Sequence, residues 1–537
     1  MPSRIPVDRH RTVVSVLREA AHVNADAEAY VEPGPAQRSA MTFAEWDRAA
    51  DGVAGYLAGR GVGKGDVVCL VLPSSIDYAV LYAAALRLGA ITSGINPRMG
   101  AAEMTSIIER TRPLVIVADS GGATVPAAPG DVVDKADVRR AWSGPPPASW
   151  PELRSDDPVA VVWTSGTTGK PKGAIFDHAN LAAVAAGTDV LSHPGDRRLS
   201  PLPFAHVGYM TRAWDEIANA VTTIITPTPW RADEAIEIME RERVTVAQGV
   251  PTQWALMLAS DRLDAADLST LRVAGTGAAR MPAPMVAELR GRLGVPVVVR
   301  YTSTETSLGT GTTPDSSDEE VATTVGRPVA GVELAIVDDE GAPVPDGSVG
   351  RVLLRSGAAM RGYWAAEPGR GRSVRELVDD DATRAVLASD GWVTTGDFGR
   401  RTPEGNLQLS GRAHERYIRG GYNVYPAEVE EVLAGHPSVA RVAVCAAPDE
   451  VLGEVGVAVV VPAPGQVPDL GTLRKHCREF LADYKAPDAL VLVDELPLTP
   501  MMKVDPAALT ALAVEGASAR RSELAQSRRR SPGNARQ

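Results

Sequence analysis

The feature that most constrains the fold is a long alternation of short apolar runs with amphipathic helical patterns. Runs rich in β-branched residues, such as VVCLVLP, PLVIVAD, PVAVVWTS and VPVVVRYT, are bounded by Gly or Pro and predict buried strands. Between them, FAEWDRAADGVAGYLAGRG and ADEAIEIMERERV carry apolar residues at helical spacing. Because strands and helices alternate in this way, we predict an α/β fold with largely parallel sheets.

The length and the later part of the chain predict more than one domain. A chain of 537 residues is too long for a single ordinary core. After about Val325 the closely spaced runs VELAIVDDEG and GRVLLRS predict a β-rich section, and from about Gly411 helical and strand patterns predict a compact α+β unit. We therefore predict a large domain over residues 1–411 and a small one over 412–512. Residues 513–537 are basic and polar with little to bury, which predicts a disordered tail.

Charge and cysteine usage exclude several classes of function. The formal net charge of -12 disfavours nucleic acid as the main partner, since phosphate backbones select basic surfaces. Cys69, Cys445 and Cys477 lie far apart, without the spacing of a zinc site or a disulfide framework. This usage is typical of a reducing compartment, so we expect a cytoplasmic protein.

The longest apolar stretch, Tyr78–Ile95, does not predict a membrane span. Arg87 interrupts it and Ala and Gly dominate it, which favours a buried helix followed by a loop. The amino-terminal sequence MPSRIPVDRH lacks the apolar core of a signal peptide. We expect no integral membrane association. A homo-oligomer is compatible with the sequence, which sets no oligomeric state.

The segment TSGTTGKPKG, residues 164–173, predicts a phosphate-binding loop after the strand PVAVVW. Glycines let backbone N–H groups converge on an anion, hydroxyls donate further hydrogen bonds, and lysines supply charge. The loop is not of the Walker A type, because GTTGK is followed by Pro and not by Ser or Thr. The predicted phosphate-binding residues are Thr164, Ser165, Gly166, Thr167, Thr168, Gly169, Lys170 and Lys172.

This loop resembles the phosphate-loop signature of the adenylate-forming superfamily of AMP-binding enzymes. The superfamily includes acyl- and aryl-CoA synthetases, firefly luciferase and the adenylation domains of peptide synthetases. The resemblance extends over nearly the whole chain, to about Leu512. It implies a large N-terminal domain of stacked α/β sheets with a β-rich section, followed by a small mobile α+β domain. It also implies ATP, Mg²⁺ and coenzyme A as cofactors and cosubstrates.

The segment RYTSTET, residues 300–306, resembles the family segment that binds adenine, phosphate and metal. The resemblance implies that Tyr301 stacks on adenine, Thr304 contacts phosphate and Glu305 ligates Mg²⁺. Since Mg²⁺ prefers oxygen ligands and shares phosphate oxygens, one carboxylate beside the triphosphate suffices. Thr302 stands where many relatives have Gly.

Two later segments resemble the ribose site and the hinge between domains. DGWVTTGDFGR resembles the ribose-binding turn, with Asp397 accepting hydrogen bonds from both ribose hydroxyls. GRAHERYIRGGYNVYPAEVE resembles the hinge, where Arg412 would contact ribose or phosphate and Glu415 stands where relatives usually carry Asp. Gly420 and Gly421 would form the path to coenzyme A, since glycines permit a close approach to the thioester site.

The segment PLTPMMKVDPAAL resembles the terminal loop whose lysine reaches the active site in the first half-reaction. Lys503 occupies that position and would bridge the carboxylate and the α-phosphate, screening the repulsion between the two anions. Met502 stands where relatives generally have Gly. Together with the segments described before and after it, this loop completes the set of catalytic residues that the resemblance implies. They are Lys503, Thr304, Glu305 and His206.

The acid site is predicted from two segments. PLPFAHVGYM resembles the segment whose His or aromatic residue gates this site, and AGTGAARMP resembles the strand and loop that line adenine and the acid. Gly277 and Ala278 are also assigned to nucleotide binding. Trp214 and Gln248 are further pocket candidates that plain core would explain equally well. The predicted acid-pocket residues are His206, Val207, Met210, Gly277 and Ala279.

The resemblance implies a two-step ligase for a small-molecule carboxylic acid. The acid attacks MgATP to give an acyl-adenylate, and a thiol, that of coenzyme A, then displaces AMP. Asp215 follows Trp214, but the FDxSxWE pattern of amino-acid substrates is absent, so we expect a fatty, aryl or alicyclic acid without an α-amino group. Glu415 and Met502 leave open a carrier-protein thiol, an amine or another acceptor, and an inactive nucleotide-binding regulatory module is the alternative of another class.

Overall fold

The computed structural model describes residues 2–34, 38–119, 130–164, 171–188, 190–277, 281, 283–365, 374–412, 417–424, 426–497 and 506–530. The chain divides into two compact units, with the main division between Ala413 and His414; the sequence prediction placed the domain boundary at 411–412. The first unit consists of Met1–Pro97, Met104–Thr164 and Pro171–Ala413.

The strands, numbered along the chain, are β1 (Glu28–Pro33), β2 (Arg38–Thr42), β3 (Val67–Val71), β4 (Ile91–Ile95), β5 (Val115–Ala118), β6 (Asp131–Asp134), β7 (Pro158–Thr164), β8 (Lys172–Asp177), β9 (Arg197–Ser200), β10 (Thr222–Ile225), β11 (Val246–Gln248), β12 (Val273–Gly277), β13 (Val297–Tyr301), β14 (Thr310–Gly311), β15 (Arg327–Pro328), β16 (Val332–Val337), β17 (Gly350–Ser356), β18 (Gly362–Trp364), β19 (Val378–Asp379), β20 (Trp392–Arg401), β21 (Leu407–Arg412), β22 (Tyr417–Arg419), β23 (Tyr422–Val424), β24 (Val439–Asp449), β25 (Gly453–Pro462) and β26 (Ala489–Leu492).

The α-helices are α1 (Val13–Val23), α2 (Phe43–Ala58), α3 (Ile76–Arg87), α4 (Ala101–Thr111), α5 (Lys135–Arg140), α6 (His178–Gly187), α7 (Val207–Met210), α8 (Ala213–Ala218), α9 (Ala232–Arg241), α10 (Pro251–Leu258), α11 (Arg262–Ala265), α12 (Ala283–Leu293), α13 (Asp318–Thr323), α14 (Val374–Leu377), α15 (Asp380–Arg384), α16 (Pro426–Ala434), α17 (Leu470–Phe480) and α18 (Pro506–Arg530). Each of the apolar runs quoted above forms a strand, and both helical patterns form helices (α2 and α9).

Two large sheets organise the first unit. The strand order of one is β15-β14-β13-β12-β11-β9-β10-β1-β2, and that of the other is β19-β18-β8-β7-β4-β3-β5-β6. The central strands of both are parallel, from β1 through β13 in the first sheet and from β7 through β6 in the second. The predicted α/β class is therefore confirmed.

One hydrophobic core joins the two sheets. Tyr30 of β1 and Val68 and Leu70 of β3 belong to the same cluster of buried residues, and the apolar faces of α2 and α3 fill the space between them. Helix α3 is buried along its whole length, including Arg87, which pairs with Asp47 and Asp51 of α2. The pairing neutralises an otherwise costly buried charge.

The stretch predicted as a helix followed by a loop differs from its prediction in the second half. Ile91–Ile95 forms β4, a wholly buried strand between β3 and β7. The small residues that suggested a loop are needed because neighbouring groups approach closely: a Cβ on Gly94 would meet Ala205 Cα at 3.0 Å. None of the described helices is both long enough and apolar enough to cross a bilayer.

A smaller antiparallel sheet, in the order β16-β17-β20-β21, completes the first unit and confirms the predicted β-rich section. Inward-facing Leu334, Val352 and Leu354 pack with Tyr301 of β13 in one buried cluster. This contact sets the small sheet against the end of β13, where the predicted nucleotide residues begin.

The second unit contains the predicted C-terminal α+β arrangement. Its sheet has the order β23-β22-β25-β24, and β26 pairs in parallel with β25. Asp488 is fully buried beside this sheet and pairs with Arg419 of β22 at 2.6 Å, Arg474 of α17 at 3.3 Å and Arg520 of α18 at 3.4 Å. One buried carboxylate therefore connects three elements of this unit.

The structure contradicts the prediction of a disordered tail from residue 513, because α18 extends from Pro506 to Arg530. Ala513 and Ala517 lie on one helical face and pack with Val455 and Val457 of β25. The sequence prediction missed this helix because its buried face consists of alanines, which give a weak hydrophobic signal. Residues 531–537 lie outside the described part of the chain.

We expect Ala513→Glu to lower the free energy of unfolding by at least about 2 kcal/mol, because it buries a charge and overfills a packed face. Ala511→Glu is the matched control, since Ala511 is exposed on the same helix. Thermal and chemical unfolding of the full chain measure both effects. Equal stability of the two variants would contradict the packing of α18 on β25.

Candidate functional site

Strands β7 and β8 form a hairpin that holds both ends of the predicted phosphate loop. Thr164 and Lys172 are directly paired in the antiparallel register, and the Thr164 hydroxyl donates a hydrogen bond to the Lys172 carbonyl at 3.3 Å. β8 leads into α6, whose amino end is capped by Asp177. Ser165, Gly166, Thr167, Thr168, Gly169 and Lys170 lie outside the described residues.

Lys172 and Glu305 meet at a residue that sequence reasoning missed, Tyr363 of β18. The Tyr363 hydroxyl donates to Glu305 Oε1 at 2.7 Å, and Lys172 Nζ lies 5.3 Å from the centroid of the Tyr363 ring. β18 pairs with β8, which places Tyr363 opposite Ala174. The available signal was the dipeptide GY at the start of a short buried strand, which is weak by itself.

The turn after β13 fixes Glu305 through its backbone. The Glu305 carbonyl accepts a hydrogen bond from the Met360 N–H at 2.8 Å. Within the turn, the Thr306 hydroxyl accepts a hydrogen bond from the Ser303 N–H at 3.0 Å. Thr304 is half-buried in this turn. Glu305 is thus held at both its carboxylate and its main chain.

The predicted adenine and ribose residues are brought together. The Tyr301 hydroxyl donates to Asp397 Oδ2 at 2.5 Å, and both side chains are largely buried. Strands β20 and β21 pair so that Asp397 lies directly opposite Arg412. Three residues from separate motifs therefore converge at one end of β13, although only the backbone of Arg412 is described.

Gly277 ends β12 beside β13, in register with Arg300. A Cβ at this position would lie 2.6 Å from the Arg300 carbonyl oxygen. The close approach of the neighbouring strand is therefore sufficient to require glycine, independently of any ligand. Ala278 and Ala279 lie outside the described residues.

His206 caps the amino end of α7. Its Nδ1 accepts a hydrogen bond from the Gly208 N–H at 3.1 Å, which leaves the neutral ring with its proton on Nε2. The side chain reaches solvent, yet the surrounding protein desolvates the charged ring and lowers the pKa of His206 to about 4. The ring is therefore uncharged at neutral pH.

The other predicted acid-pocket residues are packed in the core of this structure. Val207 is 5% exposed and Met210 is 0% exposed, and both belong to the cluster that joins the two large sheets. Trp214 is likewise buried, 5.7 Å from the Tyr82 ring. Gln248, at the end of β11, is half-buried and lies beside Gly275. His206 is thus the predicted pocket residue with a solvent-accessible side chain on this segment.

Asp215 is unavailable to pair with the ammonium group of an amino-acid substrate. It is 0% exposed and accepts hydrogen bonds from Ser192 and Thr188, from Asn219 at 2.9 Å and from Arg198 at 3.5 Å. Its oxygens are therefore occupied by four donors. Asp215 is therefore not a candidate for that role.

In the second unit, Gly420 and Gly421 form the turn of the β22–β23 hairpin. Their φ angles are +54° and +85°, and the flanking residues Arg419 and Tyr422 are paired. Two consecutive positive φ angles define a turn that glycine adopts without strain. Turn geometry thus accounts for both glycines. Glu415, Met502 and Lys503 lie outside the described residues.

Glu305 is suited to Mg²⁺ by the chemistry of its donor set. Its half-buried carboxylate receives one hydrogen bond, from Tyr363, among the residues that the structure describes, so a hard oxygen atom remains for a cation. No cluster of three or more His, Cys, Asp or Glu side chains able to bind a metal occurs among those residues. A site of this kind would take its other ligands from phosphate and water.

The chain is similar to enzymes of known activity over nearly its full length. It is 33% identical to the indoleacetate–CoA ligase of Aromatoleum aromaticum, over 89% of this chain and 95% of the relative. The structure of a double mutant of o-succinylbenzoate CoA synthetase (MenE) from Bacillus subtilis has a TM-score of 0.80 and 26% identity, covering 93% of this chain and 98% of that one. The amide bond synthetase McbA from Marinactinospora thermotolerans also has a TM-score of 0.80, with 27% identity, covering 93% of this chain and 99% of that one.

Family models cover both parts of the chain. The model described as AMP-binding enzyme matches residues 17–364, and the model described as AMP-binding enzyme C-terminal domain matches residues 428–503. The first match alone spans more than half of the chain and includes the phosphate-loop segment, Tyr301, Glu305 and Tyr363. The chain therefore belongs to the AMP-binding enzyme family, which confirms the resemblance to the adenylate-forming superfamily found in its motifs.

Proposed function

We propose that this enzyme activates a carboxylic acid with MgATP and transfers the acyl group to coenzyme A. The acid is a fatty, aryl or alicyclic acid without an α-amino group. The observation that carries the proposal is the end of β13, where Tyr301 contacts Asp397 and the following turn brings Glu305 to Tyr363, whose ring faces Lys172. One short segment thus supplies groups for both the nucleoside and the phosphates of ATP.

In the proposed first step, a carboxylate oxygen of the acid attacks the α-phosphorus of ATP and pyrophosphate leaves. Asp397 accepts hydrogen bonds from the ribose hydroxyls, and the Tyr301 hydroxyl orients its carboxylate. Lys172 and the phosphate loop stabilise the triphosphate charge. Lys503 bridges the reacting anions. Catalysis here is mainly positioning and electrostatic stabilisation.

Glu305 is the proposed ligand of Mg²⁺. The bound metal would neutralise phosphate charge as the α-phosphorus reacts. Tyr363 donates to Oε1 and directs the remaining lone pairs of the carboxylate toward the phosphates. His206 is neutral and lies beside the substrate acid. It therefore neither repels Mg²⁺ nor forms an ion pair with the substrate carboxylate, and it limits the access of water to the acid.

In the proposed second step, the thiol of coenzyme A attacks the acyl carbon and AMP leaves. The names of two similar proteins support this acceptor, since one is a CoA ligase and the other a CoA synthetase. We propose that residues 412–512 act as the mobile domain, with Glu415 at the hinge and Gly420 and Gly421 near the thioester site. The α18 helix makes the ordered part of that domain longer than the sequence predicted.

An amine acceptor is the second candidate. It is favoured by the similarity to an amide bond synthetase, together with Glu415 and Met502 at positions where relatives carry other residues.

We also propose a cytoplasmic location. Its support is that Cys69 and Cys477 are buried free thiols, and burial raises the pKa of Cys69 to about 11 and of Cys477 to about 12, which makes both unreactive.

The function is tested by incubating the pure enzyme with MgATP, coenzyme A and a panel of fatty, cinnamic, benzoic and alicyclic acids. We expect acid-dependent release of pyrophosphate and AMP with formation of a thioester, measured by mass spectrometry. Glu305→Gln is the negative control and should lose most of this turnover. AMP release without a thioester would overturn the coenzyme A assignment. ATP binding without pyrophosphate exchange for any acid would favour a regulatory module.

Asp397→Asn should lower kcat/KM for ATP by at least about tenfold, because it removes charge from the proposed ribose acceptor. Tyr301→Phe should have a smaller effect in the same direction, since it removes one hydrogen bond to Asp397 and keeps the ring. Asp390→Asn is the matched control, because Asp390 is exposed near the start of β20. Steady-state kinetics at saturating acid measure all three. An unchanged kcat/KM in Asp397→Asn would refute the ribose role.

Tyr363→Phe should raise the Mg²⁺ concentration for half-maximal rate by about tenfold, because the Tyr363 hydroxyl holds the Glu305 carboxylate in the orientation in which it would bind the metal. At saturating Mg²⁺ the rate should return toward that of the parent enzyme. The control is Tyr56→Phe, since the Tyr56 hydroxyl has no hydrogen-bond partner among the described residues. A loss of rate that added Mg²⁺ does not restore would show that Tyr363 acts in another way.

A further inference from the structure

A buried charged cluster lies beside the proposed acid site in the first unit. We use this name for Arg198 of β9, Arg212 between α7 and α8, and Asp215 and Glu216 of α8. Arg198, Asp215 and Glu216 are less than 9% exposed. Because buried charges are unfavourable unless they are paired and hydrogen-bonded, the pairing of each member is informative.

Both carboxylates of the charged cluster are already satisfied by other residues. Asp215 accepts from Ser192, Thr188, Asn219 and Arg198, as described above. Glu216 accepts from Arg198 Nη1 at 3.0 Å and from the Thr223 hydroxyl at 2.7 Å. Arg198 thus pairs with both acids, and little acceptor capacity is left for a second guanidinium.

Arg212 is the member left without a proper partner. The nearest carboxylate oxygen, Asp215 Oδ2, lies 3.8 Å from its Nη2, beyond hydrogen-bonding distance. Its Nε is buried and has no hydrogen-bond partner, and no described residue accepts a hydrogen bond from this side chain. Desolvation, followed by the nearby charge of Arg198, lowers the pKa of Arg212 to about 10. The charged form is therefore disfavoured by its surroundings as they stand.

The Arg212 side chain also remains partly accessible, on the same segment of the chain as His206. Its side chain is 16% exposed, so the guanidinium is not sealed in the core. It follows directly on α7, the short helix that His206 caps, so both residues flank the same helical turn. The charge of Arg300, in register with Gly277 on the neighbouring strand, also acts on Arg212. Arg300 stands one residue before the end of β13.

We propose that Arg212 binds a second carboxylate on the acid substrate, so that the enzyme prefers dicarboxylic acids. The inference rests on the proposed function and narrows its substrate class. A planar guanidinium with free N–H donors matches a carboxylate in geometry and charge. A bound anion would supply the acceptors that Arg212 lacks and place a negative charge within hydrogen-bonding distance of its guanidinium, which Asp215 at 3.8 Å does not.

A neutral occupant explains the geometry less well. A water molecule or a carbonyl oxygen could accept from Arg212, but neither would neutralise a desolvated cation that also lies near Arg198 and Arg300. A substrate ammonium group would be repelled. A second carboxylate satisfies both the hydrogen-bonding and the charge requirement.

The test compares each dicarboxylic acid with its monomethyl ester, which has a similar length but no second charge. The panel covers linear acids from succinate to sebacate and phenyl and cyclohexyl dicarboxylates. ATP–pyrophosphate exchange gives kcat/KM, and calorimetry gives acid binding without turnover. We expect at least one diacid to exceed its ester by about tenfold or more in both measurements, since tenfold corresponds to about 1.4 kcal/mol.

The variants are Arg212→Gln, which removes the charge, and Arg212→Lys, which keeps it. Arg212→Gln should reduce the ratio of diacid to ester by at least about tenfold, whereas Arg212→Lys should retain more of the preference. Arg231→Gln is the matched control, because Arg231 is exposed and lies before α9. A merely structural role would lower both activities together and leave the ratio unchanged.

The outcomes separate this inference from the proposed function. Exchange with monocarboxylic acids or esters, and no preference for any diacid, would overturn the role of Arg212 and leave the ligase function intact. Diacid binding that depends on Arg212 without any exchange would overturn the ligase function and support the site. Neither exchange nor diacid binding would overturn both. If Arg212→Gln fails to fold, Arg212→Lys and the parent enzyme still decide the preference.

Discussion

The hydrogen bond from Tyr301 to Asp397 is the contact on which the rest of the site depends. Tyr301 ends a strand of the nine-stranded sheet, and Asp397 lies in the small antiparallel sheet, so this hydrogen bond adds a polar contact to the apolar packing that joins the two sheets. The turn that carries Glu305 begins directly after Tyr301, and Arg412 lies opposite Asp397. Any displacement of this pair would move the proposed nucleoside and phosphate groups together.

The fold was largely predictable because its strands are strongly apolar and its helices strongly periodic. The α/β class, the β-rich section and the order of elements in the C-terminal unit all follow from such local patterns. Helix α18 was missed for a physical reason: its packing depends on alanines, and at Gly516 a Cβ would lie 2.4 Å from Val491 Cγ2. Close packing that depends on the absence of side chains leaves no hydrophobic pattern in a sequence.

Residues of the candidate site can be named from the sequence where they stand in recognisable motifs, but not where their contribution depends on their neighbours. Tyr301, Glu305 and Asp397 stand in recognisable motifs, and the structure places Tyr301 and Asp397 in contact. Tyr363 carries no comparable signal, because its importance lies in its two neighbours. Arg212 was overlooked for a similar reason, since an arginine in sequence gives no indication that its acceptors are taken by another arginine. Such residues are identified by their burial and by the hydrogen bonds of their neighbours, and not by residue type alone.

Tyr363 has a thermodynamic consequence for how the enzyme would load its ligands. Its hydroxyl contacts Glu305 while its ring faces the Lys172 ammonium, so one side chain touches both the proposed metal ligand and the phosphate-loop cation. A nucleotide that neutralises Lys172 changes the electrostatic environment of the ring, and a cation on Glu305 changes that of the hydroxyl. Free-energy linkage between two sites is reciprocal. The factor by which the metal changes nucleotide affinity therefore equals the factor by which the nucleotide changes metal affinity. Binding of the metal and of the nucleotide would then be positively cooperative through Tyr363, so that each ligand raises the affinity for the other.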